Sequence, residues 1–182
     1  LEKIFKCIYL PLLDIYIRKR FQNSYSNHDA IVVLSNKYID CYKSLIRNKG
    51  CDNVFGIGNV TPLIKSEISI ANKYNEIIFV GSLNSVKSVD RLLGIWSKIQ
   101  DKINNWSFII VGDGPDKLKL ESIVYEKHLK RVVFIGQTRS LPYIAQAKIL
   151  CLTSKFEGLP TVFLEAMRLG VVPIGYNTFQ AI

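Results

Sequence analysis

Residues 76–112 read "EIIFVGSLNSVKSVDRLLGIWSKIQDKINNWSFIIVG" and contain one strand–helix–strand unit. Residues 76–81 form a short apolar run that ends in glycine, which is typical of a buried strand, and residues 106–112 repeat that pattern. Between them, residues 88–100 carry large apolar side chains at helical spacing, with Ser88 at the expected N-cap. Two such strands joined by a helix predict a βαβ unit, in which parallel strands are covered on both faces of the sheet.

The same alternation continues toward the C-terminus. Further strands are predicted at residues 131–136, 149–154 and 171–176, and further helices at residues 116–129, 141–148 and 160–169. Five strands alternating with helices predict an α/β domain with a doubly wound, Rossmann-like parallel sheet.

The first 71 residues contain a shorter version of this pattern. Strands are predicted at residues 30–35 and 53–58, with a helix at 36–50 between them, and residues 1–21 form a basic, apolar helix candidate that Pro11 interrupts. Two buried parallel strands need neighbours to close a core. We therefore expect the end of a second Rossmann-like domain at residues 1–60, a linker at 61–75 and the main domain at 76–182. Both domains are expected to be incomplete in a chain that is itself a fragment.

Composition excludes several classes of protein. The formal charge of +9 is spread along the 182 residues without a dense basic stripe, so nucleic acid is not expected as a partner. The four cysteines show no C-x-x-C spacing and there are two histidines, which disfavours a zinc site and suits reduced thiols in the cytoplasm. No apolar run reaches the roughly 18 residues that a membrane-spanning helix needs.

Loops after the strands are the expected place for a ligand, because open parallel sheets bind ligands beyond the carboxyl ends of their strands. The loop "GSLNSVK" (residues 81–87) combines Gly81 with Lys87, which lies just before a helix N-terminus that favours an anion. A solvated lysine explains the position equally well. The turns "GDGP" (residues 112–115) and "GIGN" (residues 56–59) lack the spacing of known phosphate loops, and tight turns explain both.

The stretch "KFEGLPTVFLEAMRLG" (residues 155–170) places Glu157 in a loop and Glu165 in the helix that follows. Pro160 suits the first turn of that helix and Gly170 the position after its end. Backbone N–H groups of residues 158–161 are expected to face an anion between the two glutamates. Alternatively, Glu165 pairs with Arg168 and Glu157 is a loop charge, and the spacing alone does not decide. One stripe of the helix should carry Thr161, Glu165 and Arg168, and the packed stripe Val162, Ala166 and Leu169.

Four stretches in a fixed order carry a resemblance to a known family. They read "FVGSLNSVKSVDRLL", "FIIVGDGPDKLKLES", "RVVFIGQT" and "SKFEGLPTVFLEAMRLGVVPI". In this order they resemble the C-terminal domain of the retaining glycosyltransferases of family 4, which have the GT-B fold, and Glu157 and Glu165 match the E-x7-E motif of that family. Residues 28–60, with Asn59 before the linker, resemble the end of the N-terminal domain on the acceptor side.

The resemblance implies a site for a nucleotide diphosphate sugar, the donor, in residues 76–182. Glu157 would be the catalytic residue and bind sugar hydroxyls near the reacting carbon, Glu165 would bind the ribose, and Lys87 would contact the diphosphate. The remaining donor-binding residues implied are the loop residues Gly81 and Ser82, Gly112, Gly136 and Gln137 by the base, and Gly158, Leu159, Pro160 and Thr161 beside the leaving diphosphate.

The family's site also implies what should be absent. It uses no metal and no other cofactor, and the chain has no D-x-D pair. This chain departs from the family at Ser82, where an arginine is usual. Either another cation such as Arg139 or Lys155 replaces that arginine, or activity is reduced, because lysine offers only a point charge to a phosphate.

The resemblance predicts a glycosyltransferase that moves a hexosyl unit to a saccharide or lipid-linked saccharide in bacterial surface polysaccharide synthesis. It would act in the cytoplasm or at the inner face of the cell membrane, and residues 1–21 are compatible with peripheral membrane contact and equally with an interdomain helix. The alternatives are another GT-B activity, such as a sugar-nucleotide epimerase, and a nucleotide-sugar-binding subunit without catalysis.

Overall fold

A computed structural model describes residues 10–46, 52–60 and 72–177. The chain divides between Asn59 and Val60 into two compact units, each with its own hydrophobic cluster. Residues 61–71 of the predicted linker lie outside the described residues, as do residues 1–9 of the first helix candidate and residues 47–50 of the helix predicted at 36–50. The roles of the two units as acceptor-side and donor-binding domains stay predictions.

The first unit contains two helices and two strands among the residues described. Strands β1 and β2 pair in parallel, with Val32 opposite Phe55, and the helices pack beside them around Tyr42, Ile46 and Val54. Both Val32 and Phe55 are exposed in this two-stranded sheet. The elements are α1 (Leu10–Ser26), β1 (Ile31–Val33), α2 (Lys37–Leu45) and β2 (Val54–Gly56).

The first helix extends further than predicted. Pro11 lies in the first turn of α1, which continues to Ser26, whereas the predicted helix ended at residue 21. The part of that candidate before Leu10 lies outside the described residues, so the interruption at Pro11 stays a prediction. Proline is tolerated in a first turn because an N–H group there has no carbonyl of the same helix to bond.

The second unit is built on a parallel sheet of five strands within residues 72–177, which confirms the predicted α/β sheet. The strands are β3 (Tyr74–Val80), β4 (Ser107–Val111), β5 (Val132–Gly136), β6 (Ala147–Leu152) and β7 (Val172–Gly175). Their order in the sheet is β5-β4-β3-β6-β7: the chain adds strands on one side of β3, then crosses to its other side. Such a change of direction creates a crevice at the carboxyl ends of the central strands, where ligands bind.

Four helices connect these strands. Right-handed crossovers place the first two on one face of the sheet and the last two on the other. The helices are α3 (Val89–Ile99), α4 (Lys117–Glu126), α5 (Leu141–Gln146) and α6 (Thr161–Arg168). The contacts between helices agree with this placement, because α3 touches α4 and α5 touches α6.

The core of the second unit lies between the sheet and its helices. Phe108 and Ile110 of β4 face one side of the sheet, and Ile109 and Val111 face the other. All four side chains are buried, so both faces of the strand are covered. Trp96 of α3 packs 5.9 Å from the ring of Phe108 and donates its indole N–H to the carbonyl oxygen of Lys130. Burying a side chain of the size of phenylalanine stabilises a fold by roughly 1.5–3 kcal/mol. The central strands therefore form a firm base for the loops at their ends.

The start of α3 differs from prediction in how Ser88 is used. It occupies the N-cap position of α3, but its φ angle is 50° and its hydroxyl donates to the carbonyl oxygen of Ser85 instead of capping the helix. At the other end of the unit, Gly170 has a φ angle of 63° just after α6, as the glycine there predicted.

Candidate functional site

A cleft of about 320 Å³ opens at the carboxyl ends of β3, β4 and β5. It brings together Gly81, Ser82, Gly112 and Gln137, four of the residues expected to bind the donor. Asp113 belongs to the predicted turn at residues 112–115, whereas Thr138 and Ser140 were not selected, because their only signal is that they follow a strand. The lining residues are Val80, Gly81, Ser82, Val111, Gly112, Asp113, Gln137, Thr138 and Ser140.

Backbone hydrogen bonds hold the three turns of this cleft together. The N–H of Gly81 donates to Val111 O at 3.0 Å, and the N–H of Gly112 donates to Gly136 O at 2.9 Å. Gly136 thus supports Gly112 through its carbonyl group. Gly112 has a φ angle of 141°, and a Cβ atom there would collide with the carbonyl oxygen of Gly81. The close approach of the two turns therefore requires glycine at this position.

Asp113 gives one edge of the cleft a negative charge. Its Oδ1 accepts the N–H of Gly114 at 2.7 Å, and its Oδ2 lies 3.3 Å from Lys117 Nζ. The backbone hydrogen bond, with help from the lysine, holds the pKa of the Asp113 carboxyl below its ordinary value. At neutral pH the Asp113 carboxyl is therefore an ionised hydrogen-bond acceptor, and the nearby Lys117 offsets its charge.

Glu157 lies in the loop after β6 and is buried. Its Oε1 accepts two bonds of 2.6 Å, one from Lys87 Nζ and one from Ser154 Oγ. The side chain of Glu157 is 10% exposed and that of Lys87 27%. Burial with two donors counts against the alternative that Glu157 is an ordinary loop charge. The sequence selected Lys87 and Glu157 separately, and neither their pairing nor the part of Ser154 was predicted.

The loops that carry these two residues are fastened to each other. The N–H of Lys155 donates to Val86 O at 2.8 Å, and Thr153 Oγ1 donates to Ser88 O at 2.8 Å. The residues on both sides of Lys87 are therefore anchored to the loop that holds Glu157. A turn closed by Asn84, whose Oδ1 accepts the N–H groups of Val86 and Lys87 at 3.1 Å, shapes the first loop from within.

Lys87 connects this loop pair to the cleft. A Cβ atom built on Gly81 would lie 3.8 Å from Lys87 Cε, so the stem of the lysine runs past one of the cleft residues. Its ammonium group then reaches Glu157 on the other side. Lys87 therefore lies beside one residue of the cleft and pairs with the buried carboxylate.

Glu165 is carried by helix α6. Glu165 is half-buried on α6 and does not belong to the cleft lining given by the described residues. The packed stripe of the helix contains Ala166 and Leu169 as predicted, together with Phe163, whereas Val162 is only half-buried.

The loop before α6 needs one correction. Pro160 has no backbone N–H group, so it cannot donate to an anion as the prediction for residues 158–161 implied. The backbone N–H groups in this stretch belong to Gly158, Leu159 and Thr161. Pro160 instead has a φ angle of −69° and an extended backbone at the N-cap of α6, which sets the direction of the helix start.

The site provides two candidates for the arginine that Ser82 replaces. Arg139 is exposed and flanked by Thr138 and Ser140, which both line the cleft with Ser82. Lys155 is also exposed, and its backbone is bonded to the loop of Lys87. Of these two residues, Arg139 is the one whose neighbours in the sequence line the cleft.

Two further kinds of feature are absent from the described ranges. The His, Cys, Asp and Glu side chains found there form no group of three or more that could hold a metal ion. Among the helices of the same residues, none combines the length and the hydrophobicity needed to cross a membrane.

Comparison with known proteins gives several relatives. The chain is 28% identical over 169 residues to the amylovoran biosynthesis glycosyltransferase AmsD of Erwinia amylovora, covering 88% of this chain and 47% of that protein. It is 34% identical over 110 residues to an alpha-1,4-N-acetyl-D-galactosaminyltransferase of Campylobacter jejuni whose name includes a saccharide on PP-undecaprenol, covering 59% and 30%. The chain thus spans about half the length of these curated relatives, or less.

Solved structures share the fold. A mutant of S. aureus TarM in complex with fondaparinux, alpha-GlcNAc-glycerol and UDP superimposes with a TM-score of 0.77 at 20% identity, over 86% of this chain and 31% of that one. Anabaena HepE in complex with UDP and glucose gives a TM-score of 0.74 at 17% identity, over 91% and 49%. These neighbours confirm the predicted GT-B fold.

The sequence profile of one family matches the second unit almost from end to end. That family is Glycosyl transferases group 1, and the match runs over residues 60–181, which include the cleft, Lys87 and both glutamates. The predicted resemblance to GT-B glycosyltransferases is therefore confirmed, and the chain belongs to the Glycosyl transferases group 1 family.

Proposed function

We propose that the protein transfers a hexosyl unit from a nucleotide diphosphate sugar to a saccharide or lipid-linked saccharide acceptor, with retention of configuration at the reacting carbon. The observation that carries the proposal is the meeting of Lys87, Ser154 and Glu157 at the ends of the parallel strands, with Lys87 also beside the cleft. A cation next to a buried carboxylate suits a ligand with a diphosphate on one side and sugar hydroxyls on the other.

The names of the relatives support the context of this reaction. AmsD is named for the biosynthesis of amylovoran, and the Campylobacter jejuni relative for a saccharide on PP-undecaprenol. We infer by similarity that this protein acts in bacterial surface polysaccharide synthesis, in the cytoplasm or at the inner face of the membrane.

The cleft is the proposed place of the nucleoside. Its volume of about 320 Å³ and its lining by Gly112 and Gln137 suit a planar base that approaches the backbone closely. Asp113 at its edge would accept a hydrogen bond from a hydroxyl or amino group of the nucleoside. Glu165 would bind the ribose hydroxyls from α6, a role that rests on the E-x7-E match.

The diphosphate is the proposed partner of Lys87 and of the N–H groups of Gly158, Leu159 and Thr161. When the bond between the sugar carbon and the phosphate oxygen breaks, its electron pair leaves with the diphosphate. Donors fixed in advance around that oxygen stabilise the growing negative charge. The acceptor oxygen forms the new bond on the same face of the sugar, and its proton passes to the departing diphosphate.

Glu157 is the proposed catalytic residue. Its carboxylate would bind sugar hydroxyls next to the carbon on which positive charge develops, so the interaction strengthens in the transition state. Glu157→Gln should then lower turnover of donor more than about 100-fold, while affinity for the free nucleoside diphosphate stays the same or rises because Lys87 is released. Glu126→Gln, at the exposed end of α4, is the matched control.

The test uses the intact protein with labelled UDP-glucose, UDP-N-acetylglucosamine and GDP-mannose, and a lipid-linked saccharide extract as acceptor source. Transfer of label supports the proposal, and EDTA should leave the rate unchanged because no metal is expected. Epimerised donor without transfer would assign a different GT-B activity. Binding of donor with neither reaction would indicate a non-catalytic subunit, an outcome that Ser82 in place of arginine keeps in view.

A further inference from the structure

Among the residues that the structure describes, Ser154 and Lys87 both donate to the same oxygen of Glu157. Ser154 Oγ and Lys87 Nζ both lie 2.6 Å from Oε1, and Oε2 receives neither bond. Ser154 is three residues upstream and 2% exposed, so its hydroxyl and the carboxylate meet inside the protein. A charge-assisted bond of this length in a buried place fixes the rotation of the carboxylate.

The two donors to Oε1 differ in how firmly they are held. Lys87 ends a flexible four-carbon stem, is partly exposed and runs past Gly81 of the cleft. Ser154 has a single side-chain torsion, and the residues on either side of it are tied to the neighbouring loop by Thr153 Oγ1 and by the N–H of Lys155. Ser154 therefore keeps its place when a ligand draws the lysine away.

A bound diphosphate would attract the ammonium group of Lys87. It carries more negative charge than one carboxylate, and each N–H that the ammonium group turns toward it is lost to Glu157. Glu157 would then depend on its remaining donor for orientation at the moment when the sugar is bound beside it.

We propose that Ser154 is the positioning residue of Glu157: its hydroxyl holds Oε1 and thereby presents Oε2 to the sugar while Lys87 serves the diphosphate. This inference rests on the proposed glycosyl transfer and adds to it a residue that touches neither donor nor acceptor.

The test compares three substitutions at this position in the intact protein. Ser154→Ala removes the hydroxyl, Ser154→Cys keeps a side chain of similar shape with a weak donor, and Ser154→Thr keeps the hydroxyl. The matched control is Ser97→Ala in α3, where the lost bond runs from Ser97 Oγ to Gly94 O within the helix. The probes are UDP-glucose, UDP-N-acetylglucosamine and GDP-mannose for kcat and KM, and UDP and GDP for affinity.

Ser154→Ala and Ser154→Cys should lower kcat by about 10- to 100-fold, the range for losing a hydrogen bond to a charged group. Affinity for the free nucleoside diphosphate should stay within about twofold of the parent, because the part of the site that binds it is unchanged. Ser154→Thr should recover most of the rate, and Ser97→Ala should match the parent in both measurements. If the alanine variant does not fold, the contrast between cysteine and threonine decides.

The contrary outcomes are distinct. A parental kcat in Ser154→Ala or Ser154→Cys would overturn the positioning role and leave the proposed transfer intact. An equal loss of kcat and of diphosphate affinity would also overturn it, because it would show a general distortion of the site. A parent protein that turns over none of the three donors would overturn the proposed function and this inference together.

Discussion

The ion pair of Lys87 and Glu157 should be measurable as a coupling free energy. Lys87→Met and Glu157→Gln each remove one charge at similar volume, and the double variant removes both. If the pair exists in the ligand-free protein, the two single changes in the free energy of unfolding will not add up to that of the double variant.

The distance sets the size of the effect. At 2.6 Å, two unit charges attract by about 6 kcal/mol at an effective dielectric constant of about 20, and by about 1.6 kcal/mol in bulk water. The lysine side chain is 27% exposed, so solvent screening brings the value toward the lower end. We expect a coupling of about 2 kcal/mol, well above the 0–1 kcal/mol typical of exposed pairs.

The assay is urea unfolding followed by tryptophan fluorescence. The chain has two tryptophans, Trp96 and Trp106, and both belong to the second unit, so the signal reports the unit that carries the pair. Lys130 and Asp101 supply a control pair in that unit: they lie 3.4 Å apart with side chains 66% and 74% exposed, and should show a coupling below about 0.5 kcal/mol. A similarly small value for Lys87 and Glu157 would refute the pairing.

Three further predictions concern separate parts of the site and core. Glu165→Ala should weaken binding of nucleoside diphosphates by about 1.5–3 kcal/mol in titration calorimetry, and equal affinity would rule out a ribose contact. Gly112→Ala should destabilise the second unit by about 1–3 kcal/mol in the urea titration, because the added Cβ collides with the carbonyl oxygen of Gly81. Gly94→Ala in α3 is the control: an added Cβ there meets nothing within 4 Å, so the change should be neutral or stabilising. Burial raises the pKa of the Cys151 thiol to about 11, so the folded state keeps a proton that the unfolded chain releases above about pH 9. Stability should therefore fall as pH rises from about 9 to 11, by up to about 1.4 kcal/mol per pH unit, and unfolding curves of Cys151→Ala should lack that part of the slope.

The strands of the second unit could be predicted because each is a short, continuous apolar run. The ends of the helices could not, and residues 116–129 show the reason. Helix α4 ends at Glu126, and His128 adopts a φ angle of 48°, yet Leu129 still packs into the core and bonds Val124 O. A buried leucine after the last turn preserves the helical spacing in the sequence although the backbone has already left the helix.

The candidate site could be predicted residue by residue but not as an arrangement. Position after a strand made Gly81, Lys87, Gly112 and Glu157 candidates, and the family resemblance gave them roles. Their grouping depends on β6 lying beside β3, which no local pattern specifies. Ser154 was assigned to a strand because the apolar run extends to it, whereas β6 ends at Leu152 and the serine hydroxyl donates to Glu157.

The bonds between the two loops also bear on the order of folding. Lys87 and Glu157 are 70 residues apart in the chain, and Thr153 and Ser88 are 65 apart. Closing such long loops costs chain entropy before any contact compensates for it. An intermediate that contains only β3, β4 and β5 would possess the cleft but neither the ion pair nor the fastened loops. If the proposed function holds, such an intermediate would contain the cleft proposed for the base but not the residues proposed for the ribose and the sugar, so catalytic competence would be acquired only with the docking of β6 and α6.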